Sequence, residues 1–108
     1  MKELEIPPAA KNDPESTEIL RLWIADGAEW VSLNHRVYRD RDFKEEWAWG
    51  VFLSDTIKHL ANAIHEASGK DKLEIIGEIR ASFEAEMQNP TSAVRGGVLG
   101  ESSDAGSE

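Results

Sequence analysis

The clearest hydrophobic pattern along the chain predicts a long helix in its middle. Asp42, followed by Glu45 three residues later, resembles a capping box at a helix start, and Ser68-Gly69 is a typical helix end. Between them, apolar residues recur every three or four positions: Trp49, Phe52, Leu53, Ile57, Leu60, Ala63 and Ile64. This spacing places them on one face of a helix.

A second helix of the same kind is predicted directly afterwards. Asp71 stands at the N-cap with Glu74 three residues on, and Asn89-Pro90 marks the end. Its inner face consists of five apolar residues: Leu73, Ile76, Ile79, Phe83 and Met87. An earlier helix is predicted over residues 13–27. Asp13 is its N-cap, Pro14 its first position and Gly27 its end, with Ile19, Leu20, Trp23 and Ile24 at helical spacing.

Residues 30–38 alternate between two faces, as a β-strand does. One face holds Val31, Leu33, His35 and Val37, and the other holds Trp30, Ser32, Asn34, Arg36 and Tyr38. A single strand leaves backbone groups unpaired, so it needs a partner. Leu4 and Ile6 form a short strand-like arm that Pro7-Pro8 interrupts, and this arm can cover only part of the strand. We therefore predict that a second copy pairs with residues 30–38; the alternative is a monomer in which the arm pairs with one edge of the strand and water with the other.

The predicted fold is α+β, in the order α-β-α-α, with three helices packed on one strand, or on two if the arm takes part. Residues 1–12 form the N-terminal arm, residues 13–91 a single small domain, and residues 92–108 a tail. The tail contains glycine, serine and acidic residues without apolar periodicity, so we expect it to be disordered.

Charge and composition narrow the function classes. The 108 residues include 21 acidic and 12 basic side chains, a formal net charge of −9, and no cysteine. A negative chain is repelled by nucleic acid and by anionic membranes. The longest uncharged run in the apolar region, Trp47 to Ser54, is far shorter than the roughly 20 residues of a membrane span. With no apolar signal peptide at the N-terminus, we expect a cytoplasmic protein without nucleic-acid or membrane partners.

A polar stripe on the long helix is the best candidate for chemistry. Its members follow at intervals of four, three and four residues: Asp55, His59, Asn62 and Glu66. A carboxylate one turn before a histidine can share a metal or orient the ring as a base. A catalytic zinc needs three protein ligands, however, and the stripe lacks a third unless His35 or a partner chain supplies it. We predict a solvated face with no metal, cofactor or catalytic residue, and keep a metal-dependent or acid/base accessory using Asp55, His59 and Glu66 as an alternative.

One basic cluster follows the predicted strand. It consists of Arg36, Arg39, Arg41 and Lys44, interleaved with Asp40 and Asp42. Opposite charges at such short spacing favour a salt-bridged turn, and an anion or small-ligand site at Arg36–Lys44 is the alternative. Of the four tryptophans, Trp23 and Trp49 fit the predicted apolar faces and are expected in the core. Trp30 and Trp47 fall off these faces and suit either a partner contact, where tryptophan is a frequent anchor, or a partly buried position.

The sequence resembles a family of small bacterial proteins of about 100 residues that is defined as a domain of unknown function. The resemblance covers roughly residues 3–91. It is carried by Glu5-Ile6-Pro7-Pro8-Ala9-Ala10 with Asp13-Pro14, by Ile19–Ile24, by Val31-Ser32-Leu33, and by Trp49-Gly50 leading into Leu53-Ser54-Asp55. It implies a small bacterial protein and brings no activity, cofactor or site residues.

The function predicted from these features is a non-catalytic interaction module that acts as a homodimer and also binds an unidentified protein partner. The candidate interface combines the predicted strand with one tryptophan of the long helix: Trp30, Val31, Leu33, His35, Val37, Tyr38 and Trp47.

Overall fold

The computed structural model describes residues 1–38 and 40–98. The elements in chain order are α1 (Pro8–Asn12), β1 (Leu20–Ala25), β2 (Ala28–Leu33), α2 (Glu45–Ser68), α3 (Lys72–Gln88) and β3 (Val94–Val98). The predicted α+β class is confirmed. The order of the elements is α-β-β-α-α-β, with a three-stranded sheet where the sequence predicted one or two strands.

The chain divides into two compact units. Among the described residues, the first comprises Met1–Val37 and Val94–Val98 and contains α1 and the sheet; the second lies within Tyr38–Ala93 and contains α2 and α3. A strand from beyond residue 91 thus joins the strands that precede the helices. The single domain over residues 13–91 remains a prediction.

The helix predicted over residues 13–27 is wrong, because this segment forms a turn and then strand β1. Asp13 does accept a local backbone hydrogen bond, from Glu15 at 2.9 Å, but Ser16 closes a β-turn by donating to the Asp13 carbonyl at 3.0 Å. Aspartate followed by proline favours a turn as well as a helix start. The turn ends the helical conformation before the apolar residues begin.

The loop Asp26-Gly27 explains why the segment after this turn is a strand. Both residues have positive φ, 54° and 72°, as a two-residue type I′ hairpin loop requires. The loop joins β1 to β2 in an antiparallel pair that runs from Ala25 opposite Ala28 to Leu20 opposite Leu33. Aspartate-glycine between apolar segments is among the strongest hairpin signals, and it outweighs the helical spacing of the apolar residues.

Strand β2 is shorter than predicted at its far end. It spans Ala28–Leu33, and residues 35–38 lie in a turn, where Asn34 accepts the backbone N–H of Arg36 at 3.3 Å. This side-chain bond competes with continued strand pairing. The arm strand is also wrong, since residues 1–7 have no regular secondary structure and Pro8 begins α1.

Disorder from residue 92 is wrong for β3, which pairs parallel to β2 with Gly96 opposite Val31. A Cβ at Gly96 would collide with the Val31 carbonyl and lie 2.8 Å from the Val31 nitrogen, and Gly96 has a φ of 99°. The glycine that suggested a loose tail therefore permits a close strand contact. Residues 99–108 of the predicted tail lie outside the described residues.

The two long helices confirm the pattern predictions closely. α2 ends at Ser68 with Gly69 in the left-handed conformation, and α3 begins after Asp71, whose side chain accepts the N–H of Glu74 at 3.1 Å. The start of α2 is later than predicted, at Glu45, with Lys44 as the N-cap. No helix among the described residues is long and apolar enough to cross a bilayer.

Replacing Gly96 with alanine is expected to lower the free energy of unfolding by about 1–3 kcal/mol, because the new methyl group forces β3 away from Val31. Hydrogen exchange should accelerate at the β2 amides that face β3, those of Val31 and Leu33, and not at Trp30 and Ser32, which face β1. Gly77→Ala is the control, since nothing lies within 4 Å of that position and alanine stabilises a helix interior by about 0.5–1 kcal/mol. Unchanged exchange in Gly96→Ala would contradict the register.

The Glu86 carboxylate near the end of α3 is expected to titrate below its usual range. It accepts the backbone N–H of Thr91 at 3.0 Å and the Thr91 hydroxyl at 2.9 Å, and both bonds lower the pKa of Glu86. A folded-state pKa below the unfolded value adds stability above the usual glutamate pKa, and this contribution is lost as the pH falls. Carbon-13 NMR titration should show the low pKa in the native chain and a partial rise in Thr91→Val, which keeps the backbone donor.

Candidate interaction surface on the sheet

The pairing of the strands sorts the side chains of the sheet onto two faces. Directly opposite residues share a face, and successive residues alternate. The face that contains the Leu20–Leu33 and Leu22–Val31 pairs is called here the apolar sheet face. Its apolar members are Leu20, Leu22, Ile24, Val31, Leu33, Val94 and Val98. Leu22 is 61% exposed and Ile24 84% exposed, so this face leaves much apolar area open to solvent.

The opposite side, called here the aromatic sheet face, combines two tryptophans with two arginines. Trp23 lies opposite Trp30 across the hairpin, and Arg95 lies beside Trp30 on β3. The Arg21 guanidinium lies 5.7 Å from the centre of the Trp23 ring, and that of Arg95 lies 5.7 Å from the Trp30 ring. The Trp30 indole N–H donates to the Ala25 carbonyl at 2.9 Å, which orients the ring. Each ring thus interacts with one cation.

Two carboxylates hold Arg21 in place. Its Nε lies 3.1 Å from an oxygen of Glu18, and its Nη1 lies 3.1 Å from Glu3 in the N-terminal arm. The hydrogen bond and charge of Glu18 raise the pKa of Arg21 above its ordinary value, and Glu3 adds to the effect. Arg21 therefore stays charged, oriented across β1, and joined to the arm.

The helical unit has its own aromatic cluster, formed where the chain leads into α2. Ring centres lie 5.4–5.8 Å apart along a chain of five residues: Trp47, Phe43, Tyr38, Phe52 and Trp49. The Arg41 guanidinium lies 6.0 Å from the Tyr38 ring. Trp47, the ring at one end of this aromatic cluster, is 62% exposed. Edge and tilted ring packing of this kind fixes the turn before the helix.

The seven predicted interface residues divide between the two units. Trp30, Val31 and Leu33 are half-buried on β2, and His35 and Val37 lie in the turn after it; Tyr38 and Trp47 belong to the helical unit. The premise for a second copy at residues 30–38 is wrong, because β2 is the central strand and pairs with β1 on one side and β3 on the other. It has no free edge. An interface role for these side chains remains a prediction.

The polar stripe lies on α2, and all four members are exposed. Among residues 1–38 and 40–98, no group of three or more His, Asp or Glu side chains is placed to hold a metal ion. A nearby histidine outside the stripe has a structural role: His65 donates from Nδ1 to the Lys70 carbonyl at 2.6 Å, next to the end of the helix. The alternative role of Asp55, His59 and Glu66 as a metal-dependent or acid/base site has no geometric support among the described residues.

The structure describes three of the four members of the basic cluster, since Arg39 lies outside the described residues. Arg41 lies over Tyr38, Lys44 is the N-cap of α2, and Arg36 donates its backbone N–H to Asn34. Arg36 belongs to the first unit and the other two to the second. An anion site at this turn remains a prediction.

Sequence reasoning missed the residues of β1 that expose the largest apolar area, Leu22 and Ile24. The helical spacing of the apolar residues predicts a helix here, with Ile24 on its apolar face and Leu22 beside it. The signal that finds them is the Asp26-Gly27 loop, because a hairpin requires its flanking residues to alternate. Arg95 is missed as well, since the composition after residue 91 predicts a disordered tail.

Comparisons with known proteins identify a family without a described function and similar solved structures. A family model described as "Domain of unknown function (DUF5076)" matches residues 3–91. Among the similar solved structures is that of a candidate pyruvate dehydrogenase from the photosynthetic bacterium Rhodopseudomonas palustrus CGA009. It has 27% identity and a TM-score of 0.64, and the match covers 85% of this chain and 89% of that one. A search of curated proteins found no match.

Zinc titration is expected to leave the ring resonances of His59 and His35 unchanged at micromolar metal. Asp55 and Glu66 are eleven residues apart on α2, about 16 Å along the axis, so one ion can reach only neighbouring members of the stripe. A saturable shift of both histidines, abolished by Asp55→Asn, would contradict this prediction and favour a metal-dependent role.

Proposed function

The chain belongs to the DUF5076 family, a domain of unknown function, and we propose that it is a non-catalytic interaction module that acts as a homodimer. The absence of cysteine fits a reducing compartment, and we place the module in the cytoplasm.

The observation that carries the proposal is the small amount of apolar surface each unit buries. Among the described residues, only Ala48, Ala61 and Ile75 are buried, and two of these are alanines. A stable domain of this size normally encloses larger apolar side chains. The side chains that would form such a core are present in the sequence, but they are half-buried or exposed.

The sheet unit shows this imbalance on its apolar face. A three-stranded sheet gains stability mainly when one apolar face is covered. Here Leu20 and Val94 are each 40% exposed, and Leu22 and Ile24 are exposed further. Contiguous apolar area of this kind marks a contact surface in soluble proteins.

The helical unit shows the same imbalance. α2 and α3 expose large apolar residues along their lengths: Trp47, Val51, Leu53, Leu60, Ile64, Leu73, Phe83 and Met87. Two helices alone form one narrow seam, and the remaining apolar positions need a further element to cover them. A second copy supplies matching surface at the concentration of the chain itself, and a two-fold axis closes the assembly.

Light scattering after size-exclusion chromatography, at tens of micromolar protein, tests the proposal. The expected mass is twice the 12.0 kDa of one chain. A mass of one chain over this concentration range would contradict the homodimer. Oxidation of pyruvate by the purified chain, the activity named for the Rhodopseudomonas protein, would contradict the non-catalytic role.

A further inference from the structure

The outer edge of β1 carries backbone groups that point away from the sheet. Asn34 donates its N–H to the Ile19 carbonyl at 3.0 Å, and the register of the hairpin continues from that bond. In an antiparallel pair, every second residue exchanges hydrogen bonds with its partner strand. Arg21, Trp23 and Ala25 therefore bond to β2. Leu20, Leu22 and Ile24 direct their N–H and C=O groups outward.

No strand in the described part of the chain pairs with this outer edge. The sheet order is β1-β2-β3, so β1 is an edge strand. Glu3 reaches Arg21 through its side chain, but no backbone hydrogen bond joins residues 1–7 to β1. Natural proteins usually protect such an edge with proline, charged side chains or a bulge. Leu20–Ala25 contains no proline and no bulge, and its one charged side chain, Arg21, is paired with Glu18 and Glu3.

We propose that β1 pairs antiparallel with β1 of a second copy, centred on Leu22, so that two sheets join into one of six strands. This interface rests on the homodimer proposed above and names the surface that forms it. Leu22 lies opposite Leu22 of the second copy, and Leu20 lies opposite Ile24. All three outward-facing residues of each chain then exchange hydrogen bonds, six in all by the geometry of antiparallel pairs.

The side chains favour this register over its neighbours. It places Arg21 of one chain opposite Trp23 of the other on the aromatic sheet face, where a cation and an indole attract each other. A centre at Arg21 would put two guanidinium groups opposite each other. A centre at Trp23 would place Leu20 opposite Asp26, in the loop and outside the strand. A register shifted by one residue would place each residue with outward backbone groups opposite a residue whose groups already bond to β2, so the hydrogen bonds between the two chains could not form.

The apolar side chains support the same arrangement. Leu20, Leu22 and Ile24 carry the outward backbone groups and are three of the four exposed large apolar side chains of the sheet, at 40%, 61% and 84%. When the two strands pair, the Leu22 side chain contacts Leu22 of the second copy, and Leu20 contacts Ile24 of the second copy. The contact is the same from both chains, as a two-fold axis requires.

Single cysteines test the register directly, because the native chain has none. Leu22→Cys is expected to form a disulfide-linked dimer under mild oxidation, since opposite residues of a hydrogen-bonded pair have Cα atoms about 5.5 Å apart. Ile24→Cys is the matched control on the same strand and face. Its copies lie four residues apart along the strands, about 13 Å, and should not cross-link. Equal cross-linking of both variants, or none of Leu22→Cys, would overturn the register.

Backbone pairing is tested with proline. Leu22→Pro removes an outward N–H that β2 does not use, so the hairpin should keep its hydrogen bonds while the scattering mass falls from two chains to one. Leu22→Val retains the N–H and should remain dimeric. Circular dichroism confirms that the helices of both variants are intact. A Leu22→Pro chain that stays dimeric would overturn the proposed edge and leave the homodimer in place, whereas a monomeric native chain would overturn the homodimer itself.

Discussion

The arrangement of the sheet depends on the two-residue loop Asp26-Gly27. Both residues adopt positive φ, which residues other than glycine, asparagine and aspartate rarely do. The loop sets which residue of β1 lies opposite which residue of β2, and a shift of one position would exchange the two faces of the sheet. The Leu22–Val31 pair and the Trp23–Trp30 pair both follow from it.

The third strand adds a constraint of a different kind, because it comes from beyond the helices. β3 is parallel to β2, and its close approach at Val31 requires a glycine at position 96. The loop and the glycine thus act at different ranges. The first fixes a local hairpin, and the second admits a strand that is distant in sequence, with Arg95 beside Trp30.

The parts of the fold that were predictable are those with unambiguous local signals. α3 was located from its cap and its terminator, and the end of α2 from Gly69, because caps act within a few residues. Leu20–Ala25 was not, since its apolar residues fit a helix and a strand equally well. β3 could not be predicted by periodicity, because Gly96 and Gly97 contribute no side chain to the pattern. Because β1 could not be predicted, the exposure of Leu22 and Ile24 on one face of the sheet could not be predicted either.

The alternation that separates the faces of β1 also separates its backbone groups. A residue whose N–H and C=O bond to β2 directs its side chain to the aromatic sheet face, and a residue with outward backbone groups directs its side chain to the apolar sheet face. Leu20, Leu22 and Ile24 therefore have two unmet requirements at the same positions, hydrogen bonding and apolar burial. A ligand that covers only the face leaves the backbone groups unpaired, and water at the edge leaves the leucines exposed. A neighbouring strand pairs the backbone groups and contacts the flanks of the same three side chains, and β1 of a second copy carries the matching set.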